Sequence, residues 1–238
     1  MKKLIVLMIV AGMMGCSPPG SLRALLELES WKGEVPGPER EQQLEAEIQA
    51  VQSDLDQIVA KTQYKGTLLK AAALSFLDSR MYGPALDYLI QALAIQPESP
   101  ALNYYAGVAQ SNLAKIDPDP EQIVAKLERA ATYHKKAIEL DDGYMESYFA
   151  LAVIYGLELN QPELGLQWVD GYLAQQKGVV RGEKGSGNTY RPQRLKATLL
   201  VALNRRAEAI VVYQDILQNS RNAEDQSLAQ EKLQELKN

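Results

Sequence analysis

The chain has 238 residues, of which 46% are hydrophobic and 23% are charged, and this balance predicts a folded globular protein rather than a disordered one. Its 30 acidic side chains outnumber its 25 basic ones, so the net charge of -5 argues against general nucleic-acid binding, which needs a cationic surface. A single cysteine and a single histidine exclude an internal disulfide and a histidine-rich metal site, and no cofactor is expected.

Residues 1–15 have the pattern of a signal peptide. Lys2 and Lys3 form a short positive region, and an unbroken apolar run over 4–10 follows it. That run is too short to cross a bilayer, which takes about 20 residues. The segment therefore predicts a cleaved export signal rather than a transmembrane anchor. Without its two lysines the chain keeps 23 basic and 30 acidic side chains, which argues against a polybasic membrane-binding surface.

Gly15 directly precedes Cys16, the single cysteine, and this junction resembles the processing site of bacterial lipoproteins. The resemblance implies that Cys16 is diacylated, that the chain is cut before it, and that the new amino terminus is acylated. Two or more acyl chains give stable membrane attachment, because each buried CH₂ contributes about 0.8 kcal/mol. Met13 replaces the usual leucine, and Ser17 stands where an aspartate would signal retention in the inner membrane. We therefore expect a lipid-anchored, periplasm-facing protein of the bacterial cell envelope, with the outer membrane favoured; the alternative is a secreted protein with an unmodified cysteine.

Residues 16–38 follow as a predicted tether, because 17–38 contain four prolines and three glycines. Residues 39–64 predict an amphipathic helix, since apolar side chains recur at alternating spacings of 4 and 3: Leu44, Ile48, Val51, Leu55 and Ile58. Two interpretations of this apolar stripe stay open. The helix either caps the scaffold that follows or joins copies of the chain in a homo-oligomer.

From Gly66 onward the sequence repeats. Tetratricopeptide repeats have a period of 34 residues, with small and apolar side chains at fixed positions of two consecutive helices. The first unit has the expected residues in both helices: Leu69, Ala72, Ala73, Phe76, Ala85, Leu89, Ala92 and Pro97. Alanine at such positions lets two helices cross closely.

Three further units follow with less regularity. The second carries Ala106, Gly107, Ala130, His134 and Ala137 but is 11 residues longer than the first, and the surplus is expected near the proline-rich segment 115–122. The third and fourth units have the remaining repeat residues: Tyr148, Leu151, Ala152, Tyr155, Gly165, Val169, Tyr172, Ala209, Tyr213 and Ile216. Residues 223–237 predict a capping helix with three leucines turned inward: Leu228, Leu233 and Leu236.

Residues 66–217 thus resemble the tetratricopeptide-repeat family. The predicted fold class is all-α, a helix-turn-helix solenoid of this type over 65–238, with an amino-terminal helix before it and a carboxy-terminal capping helix. The resemblance implies that helix pairs stack into a right-handed superhelix whose first helices line a groove for extended or helical peptides. In this frame the predicted groove residues are Lys70, Asp78, Tyr104, Asn112, Phe149 and Arg194.

No catalytic motif is present, and the chain is predicted not to be an enzyme. It lacks G-x-S-x-G, H-E-x-x-H and C-x-x-C.

His134 occupies a repeat position that usually holds a packing aromatic, so a structural role is expected for it. The acidic residues at 139–146 predict a solvated helix start. The glycine-rich segment 178–190 lacks the strand and the Gly-Lys-Ser/Thr ending of a phosphate loop, and it predicts a flexible loop with a basic flank.

Two functions follow from these resemblances. The first is a membrane-anchored scaffold whose groove binds an envelope protein or peptide. The second is an accessory of a periplasmic solute transporter, because the enlarged second unit and residues 135–156 somewhat resemble repeat lipoproteins associated with TRAP-type transporters. In that alternative the protein holds or passes a small molecule. An enzyme of unrecognised type is the third possibility, although no cluster of titratable groups points to one.

Overall fold

The computed structural model describes residues 37–179 and 190–237. The expected signal peptide, Cys16 and the tether before Gly37 lie outside the described residues, as does most of the glycine-rich segment. All regular structure in the described ranges is helical, and this confirms the all-α prediction. The helices are α1 (Pro38–Asp78), α2 (Tyr82–Ile95), α3 (Pro100–Lys115), α4 (Pro120–Leu140), α5 (Met145–Val153), α6 (Pro162–Val179), α7 (Arg191–Ala202), α8 (Arg206–Asn219) and α9 (Ala223–Lys237), with a π-helical segment at Ile154–Glu158 after α5.

Helix α1 has 41 residues and runs without a break through the region where the sequence predicted one helix to end and the first repeat to begin. The reason is that no proline follows Pro38 within this helix, and Gly66 is its only glycine. A lone interior glycine costs a helix only about 1 kcal/mol. Contacts divide the chain after Tyr64, and residues from Lys65 onward form the repeat unit described below.

In the part of α1 before Lys65, three side chains of the predicted apolar stripe are largely exposed. Ile48, Leu55 and Ile58 have 57%, 56% and 60% of their surface accessible. Self-association through this stripe stays a prediction.

The longer second repeat is built from longer helices. Helix α4 begins at Pro120, ten residues before Ala130, whereas α2 begins at Tyr82, three residues before the equivalent Ala85. The Asp119 carboxylate caps α4 by accepting a hydrogen bond from the backbone N–H of Glu121 at 2.9 Å, and Pro120 occupies the first turn, where no N–H is needed. The surplus residues therefore lie near the predicted segment 115–122 and extend into α4.

The core of the repeat unit consists of four clusters in chain order, each formed by consecutive helices. Of the alanines predicted to allow close crossing, Ala72 is half-buried, and the others are completely buried: Ala73, Ala85, Ala92, Ala106, Ala130, Ala137, Ala152 and Ala209. Leu233 of α9 is buried in the last cluster, with Leu228 and Leu236 packed partly against it. The predicted capping role of α9 is therefore confirmed.

A close backbone approach lies in the third repeat, between Gly156 of the π-helical segment and Gly165 of α6. A Cβ atom at Gly165 would lie 2.4 Å from Cα of Gly156, and a Cβ at Gly156 would lie 2.6 Å from a methyl carbon of Leu199. Only glycine fits at both positions, because real Cβ contacts are longer than this. Helices α5 and α6 thus cross backbone against backbone, and α7 covers the crossing.

Candidate functional site

The predicted groove residues lie on the first helices of the four repeats. Tyr104 and Phe149 are half-buried on α3 and α5, Lys70 is half-buried on α1, and Asp78 is exposed at the end of α1. Two of these residues, Tyr104 and Phe149, lie in two neighbouring groups of aromatic side chains.

The first group surrounds Tyr104. Its ring centroid lies 5.2 Å from that of Tyr105 and 5.4 Å from that of Tyr144, with tilted ring planes. Helix α3 supplies Tyr104 and Tyr105, and Tyr144 precedes the first residue of α5. Aromatic pairs prefer such tilted arrangements at these distances. We call Tyr104, Tyr105 and Tyr144 the tyrosine cluster.

The second group surrounds Phe149. Its ring meets that of Tyr172 edge to face, with centroids 6.1 Å apart, and the guanidinium carbon of Arg191 lies 5.3 Å from the Phe149 centroid. This distance is within the range of a cation–π interaction. Helices α5, α6 and α7 each contribute one of these three residues.

Glu146 links the two groups. It lies in the first turn of α5, two residues after Tyr144 and three residues before Phe149. Residues three apart on a helix are neighbours on one face, about 5–6 Å apart at Cβ. Its side chain is exposed, and it forms no ion pair with any of the basic side chains that the structure describes. We call Glu146, the tyrosine cluster, Phe149, Tyr172 and Arg191 together the aromatic surface.

The Glu146 carboxylate affects three hydroxyl groups of this surface. Burial raises the pKa of Tyr104, and Glu146 raises it further. Burial also raises the pKa of Tyr144 to about 12, with contributions from Tyr105 and Glu146. Burial and Glu146 raise the pKa of Tyr172, whereas Arg191 opposes the shift. All three tyrosines are therefore neutral at physiological pH, and Glu146 disfavours the ionised form of each.

A buried histidine packs against Tyr104 of the tyrosine cluster. The His134 ring is 1% exposed, its Nδ1 lies 3.3 Å from Ser147 Oγ, and its centroid lies 5.6 Å from that of Tyr104. A Cβ at Gly107 would lie 2.6 Å from His134 Nε2, so glycine is required there. Burial lowers the pKa of His134 to about 4, and the ring is neutral at physiological pH. These contacts agree with the structural role expected for His134.

Two predicted groove residues direct polar groups to partners within the repeat unit. Arg194 Nη1 donates to Asp225 Oδ1 at 3.0 Å, and the Asp225 side chain is only 3% exposed. That carboxylate also accepts hydrogen bonds from the backbone N–H of Tyr190 and from the Ser220 hydroxyl. Asn112 Nδ2 donates to the carbonyl of Val108 on its own helix at 2.8 Å. The ion pair attaches α9 to α7, and a groove role for Arg194 stays a prediction.

Five residues of the aromatic surface were not among the predicted groove residues: Tyr105, Tyr144, Glu146, Tyr172 and Arg191. Tyr144 precedes α5 and Tyr172 is on a second helix, so a rule that selects positions on first helices omits both. Arg191 is three residues before Arg194, so one turn of α7 separates the residue that the repeat frame selected from the cation that lies over Phe149.

The described residues hold no group of three histidine, cysteine, aspartate or glutamate side chains arranged to bind a metal ion. None of the helices in the described ranges combines the length and the apolar character needed to cross a membrane.

No protein-family model matches the chain, and no curated protein matches its sequence. Solved structures of tetratricopeptide-repeat proteins share its fold. TTC0263, a thermophilic protein of this type from Thermus thermophilus, is 19% identical with a TM-score of 0.54, over 71% of this chain and 79% of that chain. Two MamA crystal structures each have a TM-score of 0.52, at 14% and 11% identity, over 71% and 85% of this chain and 84% and 99% of those chains. The chain therefore has the tetratricopeptide-repeat fold that its sequence predicted.

Proposed function

We propose that this tetratricopeptide-repeat chain is a lipoprotein of the bacterial cell envelope, anchored through Cys16, whose groove binds a segment of a protein partner without catalysing a reaction. The observation that carries the proposal is the aromatic surface, because three first helices, one second helix and one turn bring its residues together. Tyrosine and arginine dominate the residues that contribute most to protein–protein binding.

The chemistry of the surface suits a peptide segment. Its rings are half-buried, so each keeps part of its apolar area accessible to a partner. Rigid rings lose little conformational entropy on binding, and the adjacent charges of Glu146 and Arg191 fix the register of a bound chain.

The groove proposal predicts that a Tyr104→Ala/Phe149→Ala variant loses its partner. Truncating two central aromatic side chains typically lowers affinity by more than about tenfold, since a single such residue contributes about 2 kcal/mol or more. The measurement is a cross-linked pull-down from native membranes, quantified against wild type. Thermal unfolding followed by circular dichroism establishes that both proteins are folded.

The matched control is Ile90→Ala/Val211→Ala, which removes two apolar side chains that are 48% and 63% exposed on second helices. This variant is expected to recover the same partner as wild type. Equal recovery of every protein by wild type and by the groove variant would contradict the groove proposal. Recovery of a bound small molecule instead of a protein would favour the transporter-accessory function.

The anchoring proposal predicts that Cys16→Ala leaves the protein unprocessed or releases it from the membrane, since the acylated side chain is then absent. Intact mass and membrane fractionation measure both outcomes. Ser17→Asp serves as the control, because it keeps the acylated cysteine and is expected to remain membrane-bound but to move to the inner membrane. A Cys16→Ala protein with the mass and fractionation of wild type would rule out lipid anchoring.

A further inference from the structure

We infer that Glu146 and the tyrosine cluster form a recognition site for a cationic side chain, lysine or arginine, of the bound segment. The inference rests on the proposed function, and it specifies the chemistry of the partner at one position of the groove.

The first reason is the arrangement of the rings. The centroids of Tyr105 and Tyr144 lie 5.2 Å and 5.4 Å from that of Tyr104, at interplanar angles of 59° and 50°, so the rings present faces and edges in different directions. The face of an aromatic ring carries negative charge density, and it attracts a cation within about 6 Å of its centroid. Glu146 follows Tyr144 by two residues and adds a full negative charge beside these rings.

The second reason is that the described basic side chains leave this carboxylate without an ion pair. None of the lysine and arginine side chains that the structure describes pairs with Glu146. Arg191, the basic residue of the aromatic surface, lies over the Phe149 ring. A partner cation would therefore complete a charge pair that the described side chains leave open, while a partner anion would be repelled.

The third reason is the electrostatic effect of Glu146 on its surroundings. Its charge contributes to the raised pKa of Tyr104, Tyr144 and Tyr172, which belong to both aromatic groups. The carboxylate thus acts across the whole surface and not only at the start of α5. A cation bound there would be attracted by this carboxylate together with the neighbouring ring faces.

The test is a selection from a random peptide library displayed on phage, with the purified wild-type protein as target. We expect peptides whose binding depends on Tyr104 and Phe149 to share a lysine or arginine at one fixed position. A synthetic peptide with that residue changed to alanine should bind wild type about five- to tenfold more weakly. The same change should weaken binding to Glu146→Gln less than binding to wild type, because the carboxylate is then gone and only the rings attract the cation.

The control is Glu163→Gln, which makes the same substitution in the first turn of α6, at another exposed glutamate. Against this variant the alanine peptide should show the wild-type loss. Groove-dependent peptides without a fixed cation, or an equal loss with wild type and Glu146→Gln, would overturn the inference and leave the groove proposal standing. A library without any groove-dependent peptide would contradict the proposed function itself, and the inference with it.

Discussion

Replacing Gly165 with alanine is expected to lower the free energy of unfolding of the purified protein by about 3 kcal/mol, the upper part of the usual range for overpacking a core. The added Cβ would lie 2.4 Å from Cα and 2.8 Å from N of Gly156, and 3.0 Å from the carbonyl oxygen of Ala152. These are backbone atoms, which no side-chain rotation can move away. Urea unfolding followed by circular dichroism measures the change.

Gly83→Ala is the matched control, because no atom lies within 4 Å of a Cβ at that position in α2. It is expected to leave stability unchanged or to raise it slightly, since alanine favours helix over glycine. If Gly165→Ala unfolded at the same urea concentration as wild type, the two backbone segments that cross at Gly156 and Gly165 would have to move apart without lowering the free energy of unfolding. The covering contact of Leu199 with Gly156 makes that unexpected, since α7 would have to shift as well.

The second large effect is expected on acidification. Burial holds the pKa of His134 at about 4, against an ordinary value of 6.5, so the folded protein keeps a neutral ring where the unfolded chain takes up a proton. The stability that comes from keeping His134 neutral is therefore fully present above pH 6.5, and it is lost as the pH falls toward 4. Between pH 7 and pH 5 this amounts to about 2 kcal/mol, at 1.36 kcal/mol for each pKa unit.

His134→Phe separates this contribution from the titration of carboxylates. The substitution keeps an aromatic ring at the repeat position and removes the titrating group. Urea unfolding at pH 7 and at pH 5 should show a smaller loss of stability in the variant than in wild type, by about 2 kcal/mol. Identical losses in the two proteins would mean that His134 is accessible to protons in the folded state.

The repeat pattern predicted the fold because it depends on local sequence. Small residues at Ala85, Ala130 and Ala209 recur where helices must cross, and all three are completely buried. The capping helix was predictable for the same reason, since Leu233 lies on a regular apolar face. The unbroken helix α1 was not predicted, because the change from the amphipathic pattern of residues 39–64 to the repeat pattern does not require a break in the backbone.

The candidate site was predictable only in part. Tyr104 and Phe149 follow from the repeat frame, which assigns positions within one helix. Tyr172 and Arg191 are each more than 20 residues after Phe149 in the sequence, and they reach it through contacts between helices. The ion pair of Arg194 with Asp225 likewise spans 31 residues. Such contacts depend on helix crossing angles and side-chain rotamers, which a single sequence does not specify.

The division of the core into four successive clusters has a consequence for binding. An array in which each element contacts mainly its neighbours need not unfold all at once, and segments at either end can open while the remainder stays folded. Tyr105 packs against the first cluster and Phe149 against the third. The aromatic surface is therefore complete only while both clusters are folded together. A bound partner would oppose the independent opening of either one and make the unfolding of the repeats more cooperative.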